Sequence, residues 1–171
     1  TEEAQLQSWI TTKVENYLET KGKRIIGWDE VLEGGVSTKC VVMSWLKGSV
    51  GGQKAAGLGN DVIMTDKYHC YFDCYQTDTR EGELFAHKRN IPLEKVWSYN
   101  PIGGMDDASA SHVLGVQCNT WTEHISSMDR VYFMNLPRMA ALAEVAWSTP
   151  ASLSGYQDFL QRLQSSLIPI Y

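Results

Sequence analysis

The residues with chemical potential in this sequence gather where short apolar runs end in aromatic and acidic side chains. Val113-Leu-Gly-Val-Gln-Cys-Asn-Thr-Trp-Thr-Glu123 is the clearest case. Trp121 and Glu123 stand two apart, so on an extended backbone they share one side. An indole face beside a carboxylate suits a sugar, whose apolar ring face stacks on the Trp while its hydroxyls donate to the acid. The same layout occurs three times upstream: Arg24-Ile-Ile-Gly-Trp28 runs into Asp29-Glu30, Cys40-Val-Val-Met-Ser-Trp45 ends in Trp, and Asp61-Val-Ile-Met64 runs into Thr65-Asp66. A single Trp of this kind is more often core than ligand wall. Recurrence at successive strand ends favours the wall.

Those ends must be held by a scaffold, and the apolar pattern predicts which one. Leu6, Trp9, Ile10, Val14, Tyr17 and Leu18 recur at helical spacing over Glu2–Thr20, with Gly22 placed to end the helix. Four strands with little polar alternation are expected over 24–28, 40–45, 61–64 and 113–118, each buried on both faces. Helices are expected over Ser49–Leu58, Asp129–Trp147 and Ser154–Leu167, with a helical turn over Pro92–Ser98. Alternating strands and helices imply a parallel sheet, and side chains just past the C-terminal strand ends are where barrel enzymes place their sites. A closed barrel of eight β/α units takes roughly 250 residues, so four strands in 171 residues read as half of a barrel. Between them, Lys67–Asn90 is a long polar stretch crowded with Tyr68, His69, Tyr71, Phe72, Asp73 and Tyr75, a density of aromatics that argues against disorder.

Composition narrows the classes. A hydrophobic content of 43%, a charged content of 20% and a net charge of −5 with scattered basic residues fit a globular protein and argue against a nucleic-acid partner. No apolar run approaches the roughly 20 residues of a membrane span. No GxGxxG follows a strand, so a nucleotide cofactor is not expected. The four cysteines form no CxxC pair, and His69, Cys70 and Cys74 lack zinc-ligand spacing, so buried thiols and no metal are expected. Arg138 and Glu144 are assigned to helix packing.

Several motifs, in order, resemble glycoside hydrolase family 20, the β-N-acetylhexosaminidases, and especially its bacterial members. They are Arg24-Ile-Ile-Gly-Trp-Asp-Glu-Val-Leu-Glu-Gly-Gly35, Val41-Val-Met-Ser-Trp45, Asp61-Val-Ile-Met-Thr65, Tyr71-Phe-Asp73, Trp121-Thr-Glu123 and Leu136-Pro-Arg-Met-Ala-Ala-Leu-Ala-Glu-Val-Ala-Trp-Ser148. The resemblance covers essentially the whole chain, residues 1–171, and implies the C-terminal half of a (β/α)8 TIM-barrel catalytic domain. It further implies an exo-acting pocket for a glycan ending in N-acetylhexosamine. Trp28, Trp45 and Trp121 would be aromatic walls, the first two closing on the N-acetyl methyl. Tyr71 would hold the acetamido carbonyl oxygen, Glu123 would accept at the 4-hydroxyl, and Asp73 would accept nearer the 6-hydroxyl. Catalysis in the family is substrate-assisted: the acetamido oxygen attacks the anomeric carbon while a Glu acts as general acid beside an orienting Asp.

The sequence departs from that pattern in one respect. The acid pair sits in a His-x-Gly-Gly-Asp-Glu motif, and these 171 residues contain none. Asp29-Glu30 follows Gly-Trp instead and reads as structural or rim acids. The chain alone is therefore expected not to hydrolyse a glycoside. A non-catalytic carbohydrate-binding or assembly module derived from the same fold stands as the alternative. The resemblance suggests a periplasmic or extracellular setting, and a half barrel's open edges suggest self-association or a rearrangement that covers them.

Overall fold

A computed structural model describes residues 2–46, 48–149 and 155–166. The chain divides into two compact units, one of Thr1–Lys67 with Pro101–Gln117, the other of Tyr68–Asn100 with Cys118–Tyr171.

The first unit contains the expected sheet. Strands β1 (Ile26–Trp28), β2 (Val41–Ser44), β3 (Val62–Met64) and β6 (Val113–Val116) lie side by side in that order, and every neighbouring pair is parallel. Helix α1 (Glu2–Glu19) precedes β1, α2 (Val50–Gly57) links β2 to β3, and the short α4 (Asp107–Ala110) leads into β6. A parallel neighbour requires a crossover of a dozen or more residues; residues 29–40 with a 3-10 helix supply the first, α2 lies in the second, and the long segment between β3 and β6 is the third. The core lies between α2 and the middle strands: Cys40, Val41, Val42, Ala55, Ala56, Val62 and Met64 are all buried. Burial on both faces holds only there. At the outer strands Ile26 and Leu114 are exposed, because each has a neighbour on one side only.

Two further details correct the sequence reading of this unit. Helix α1 forms as predicted, but its apolar face, with Leu6, Trp9, Ile10, Val14 and Tyr17, is exposed, and the buried residue is Glu15. Glu15 accepts a hydrogen bond from Ser37 Oγ at 2.5 Å, while Ser8 Oγ donates to the Gly35 carbonyl at 2.7 Å. Spacing fixes which residues share a face but not which face meets the fold. Gly34 is required by this docking, since a β-carbon there would fall 1.9 Å from the Ala4 carbonyl oxygen. The strand expected to reach residue 118 ends at Val116, with Gln117 N–H still donating to the Met64 carbonyl at 3.0 Å. Below the sheet, at the N-terminal strand ends, Asp61 accepts from Arg24 at 2.8 Å and sits 3.2 Å from His112 Nδ1. The two partners hold its carboxyl below the usual range.

The second unit has more order than its polar sequence predicts. Within 67–90, β4 (Cys74–Tyr75) and β5 (His87–Asn90) pair in parallel. Helix α3 (Leu93–Trp97) packs on α6 (Arg138–Trp147), and α7 (Tyr156–Ser166) adds Phe159 to the core. The single helix expected over 129–147 is two, α5 (Met128–Asn135) and α6. Leu136 takes extended backbone before Pro137, which lacks the N–H that a continuing helix requires. Trp97 Nε1 donates to Glu144 at 3.2 Å, and Arg162 of α7 grips the same carboxylate at 2.7 and 2.8 Å. Glu144 thus does the packing work expected of it.

Candidate functional site

The first unit carries one group of predicted site residues. Trp28 is the last residue of β1, and the chain turns at once into a 3-10 helix, Asp29–Leu32. Trp45 follows the last residue of the adjacent parallel strand β2. The two indoles therefore emerge from neighbouring strand ends, with ring centroids 6.4 Å apart and planes 81° apart, an edge-to-face pair. Lys67 Nζ lies 5.4 Å from the Trp45 ring centroid.

The acids beside Trp28 hold Trp45 in place. Glu30 accepts from Trp45 Nε1 at 3.0 Å, fixing the rotation of the indole. Asp29, buried, accepts from the backbone N–H groups of Leu46 at 3.2 Å and Trp45 at 3.3 Å. Burial pushes the Asp29 carboxyl above its usual range, the Leu46 N–H pulls against that, and Glu30 nearby adds to the rise. Within this unit Asp29 and Glu30 thus hold the backbone and indole of Trp45, and Asp29 Oδ1 is buried with no hydrogen-bond partner among the described residues.

The second unit carries the other group. Tyr71 and Asn119 form a parallel bridge, with Phe72 N–H donating to the Asn119 carbonyl at 2.7 Å and Asn119 N–H to the Cys70 carbonyl at 2.8 Å. This pairing brings two distant stretches into register, so the Tyr71 and Trp121 rings lie 6.5 Å apart, tilted at 49°. Asp73 is buried, and its Oδ1 has no hydrogen-bond partner among the described residues. Its Oδ2 lies 3.4 Å from His87 Nε2, and Glu123 Oε2 lies 4.0 Å from the same nitrogen. Trp121 and Glu123 are exposed. Burial pushes the Asp73 carboxyl up; its own N–H, His87 and Arg138 draw it down, and Glu123 adds to the rise. Beside His87 a cavity of about 490 Å³ is lined by Phe85, Lys88, Arg89 and His124.

Two residues that the sequence reading left out of the site support Asp73. Arg138, fully buried, donates to the carbonyls of Phe72 at 2.5 Å and Cys74 at 3.2 Å, the residues on either side of Asp73. It also donates to Ile91 at 3.1 Å and to Met134 O, and its guanidinium stacks 4.8 Å from the Phe72 ring centroid. Burial draws its pKa down to about 10, which leaves it cationic at neutral pH. His87, the first residue of β5, is the other. Neither shows in the sequence as a support for Asp73: apart from Met134, four residues away, the carbonyls that Arg138 reaches lie 47 to 66 residues off, and His87 meets Asp73 and Glu123 only through the fold. Among the described residues no three His, Cys, Asp or Glu side chains converge to hold a metal ion. No helix among them is long and apolar enough to cross a membrane.

Residues 1–150 match the model of glycosyl hydrolase family 20, catalytic domain. The chain belongs to this family. It is 40% identical over 169 residues to a β-hexosaminidase of Porphyromonas gingivalis, an alignment covering 98% of this chain and 21% of the relative. A β-N-acetylhexosaminidase of Cellulomonas fimi is 30% identical over 145 residues, covering 83% of this chain and 29% of that one. In three dimensions the chain superposes on the family 20 exo-β-N-acetylglucosaminidase of Vibrio harveyi, crystallised with N-acetylglucosamine. The TM-score is 0.84 at 31% identity, covering 93% of this chain and 25% of the other. This family 20 chain thus spans about a fifth to a third of the length of these relatives. Its parallel sheet is part of a (β/α)8 barrel, as the strand count implied.

Proposed function

We propose that this chain supplies the sugar-holding residues of an exo-β-N-acetylhexosaminidase. It forms the C-terminal half of a barrel that removes terminal non-reducing N-acetylglucosamine or N-acetylgalactosamine by substrate-assisted, retaining catalysis. The observation that carries this reading is the group Tyr71, Asp73, Trp121 and Glu123, which the 71–119 bridge gathers within one unit of a family 20 chain. An aromatic pair beside two carboxylates matches the surface of an amino sugar: apolar ring faces for the indole, hydroxyl donors for the acids. In this reading the Asp73 carboxylate accepts from a sugar hydroxyl.

Roles follow from chemistry. Tyr71 donates its hydroxyl to the acetamido oxygen and aims that oxygen at the anomeric carbon, which raises rate by positioning an internal nucleophile. Trp121 stacks under the ring, and Glu123 and Asp73 take the 4- and 6-hydroxyls; in the first unit the edge-to-face pair Trp28 and Trp45 is of the kind that shields a methyl from water. The general acid that protonates the leaving oxygen is not among these residues, since the sequence holds no His-x-Gly-Gly-Asp-Glu. The 171 residues alone therefore bind without turnover.

The test is a tryptophan-fluorescence titration with an N-acetylglucosamine-derived thiazoline, which mimics the cyclised intermediate, against glucose as control. Saturation by the thiazoline alone, weakened about tenfold or more in Tyr71→Phe and without release of product from a chromogenic N-acetylglucosaminide, is the expected result. Equal responses to thiazoline and glucose, or none from a chain whose near-ultraviolet circular dichroism shows fixed aromatic packing, would remove the reading.

A further inference from the structure

We infer that His87 is a positioning residue that clamps Asp73 and Glu123, setting the direction of both acids and the charge state of Asp73. The inference rests on the reading of those acids as sugar-hydroxyl acceptors. The single nitrogen Nε2 lies 3.4 Å from Asp73 Oδ2 and 4.0 Å from Glu123 Oε2, so a charge on this ring faces both carboxylates. Two adjacent carboxylates disfavour each other's ionisation, and a donor placed between them offsets that repulsion. With Oδ2 turned toward His87, the other oxygen of Asp73 is buried without a hydrogen-bond partner among the described residues.

The backbone and ring of His87 are both held in place. Its backbone N–H donates to the Asp73 carbonyl at 3.1 Å, which ties the start of β5 to the residue it serves. On its far side the His124 ring lies 5.3 Å away, and His124 in turn meets Phe85 edge-on at 4.6 Å. The charged or titratable groups around the clamp are Asp73, Glu123 and His124, with Lys88 and Arg89 following on β5. Arg138 acts on Asp73 from the buried side. A protonated His87 makes a charge-assisted bond to Asp73, and a neutral one makes a weaker bond. Sugar affinity then falls at the acidic end as Asp73 is protonated, and His87 resists that protonation.

The experiment is a carbon-13 NMR titration of the Asp73 carboxyl in the sugar-free chain, in wild type, His87→Phe and His87→Gln. His87→Phe keeps a ring against His124 and removes the donor; the expected result is an Asp73 midpoint about one unit higher. His87→Gln keeps a neutral donor and brings the midpoint part of the way back. In wild type, nitrogen-15 titration of the His87 ring must coincide with a second inflection of the Asp73 carboxyl, a readout that needs no variant. An Asp73 midpoint unmoved by His87→Phe, or an Asp73 carboxyl blind to the His87 titration, overturns the inference. Thiazoline affinity against pH then reports the sugar reading separately. Loss of binding in Asp73→Asn supports that reading, and an acidic limb moved to higher pH in His87→Phe supports the clamp. Affinity that ignores Asp73→Asn while the NMR coupling persists refutes the sugar role and leaves the clamp standing.

Discussion

Replacing Arg138 by Met tests how the second unit is built. Met is of similar length and carries no donor, so the substitution removes the hydrogen bonds while filling most of the space. It releases the carbonyls of Phe72, Cys74 and Ile91, at 2.5, 3.2 and 3.1 Å from the guanidinium, together with Met134 O. A buried acceptor left unpaired costs roughly 1–3 kcal/mol. Counting only the three carbonyls from distant segments, each at the low end of that range, gives about 3 kcal/mol, a large share of the roughly 5–15 kcal/mol that holds a domain folded. Removing a buried cation refunds part of its desolvation. The refund is limited here because the partners are neutral carbonyls that stay buried after the cation has gone. Hydrogen exchange read by mass spectrometry localises the effect, and about 3 kcal/mol corresponds to roughly a hundredfold faster exchange. That acceleration is expected across β4, β5 and α6, with urea unfolding giving the matching loss. Arg138→Lys, with one nitrogen, falls between wild type and Met. A loss under about 1 kcal/mol, or an acceleration confined to the sheet of β1, β2, β3 and β6, would show that Arg138 is not what orders the carbonyls flanking Asp73.

Two further outcomes follow from the first unit. Gly52→Ala puts a β-carbon 2.5 Å from Met64 Sδ and 3.0 Å from Ser44 Cβ. The strain of overpacking, about 1–3 kcal/mol, exceeds the roughly 1 kcal/mol that Ala gains over Gly in a helix, so the urea midpoint falls, and a rise would contradict the packing of α2 on the sheet. Because burial holds the Asp29 carboxyl above its ordinary value of 3.8, the folded chain binds that proton more tightly than the unfolded one. The stability this contributes is complete below the unfolded value and is lost as pH rises through the folded one. The stability of Asp29→Asn relative to wild type therefore increases as pH rises from about 3.5 to about 6. A difference that stays flat or falls in urea titrations over that range would reverse the assigned shift.

The sequence by itself determined the repeating units of this protein. Four apolar runs bounded by turns, separated by helical periodicity, sufficed for strands in chain order and for parallel pairing, because both follow from local pattern and from the length of the crossovers. The aromatic and acidic residues at the strand ends were legible for the same reason, and so was the family resemblance they carry. What only the tertiary structure decided are contacts between residues remote in sequence. The exposed apolar face of α1, Glu15 turned inward to Ser37, Glu30 fixing the Trp45 indole, and β4 pairing with β5 inside a polar stretch are of this kind. So are Arg138 reaching carbonyls 64 and 66 residues away and His87 standing between Asp73 and Glu123. Hydrogen bonds and ion pairs are short-ranged and directional, so a partner is specified only once the backbone has brought it within about 3 Å. Hydrophobic periodicity is a property of neighbours along the chain, and it can be read before the chain folds.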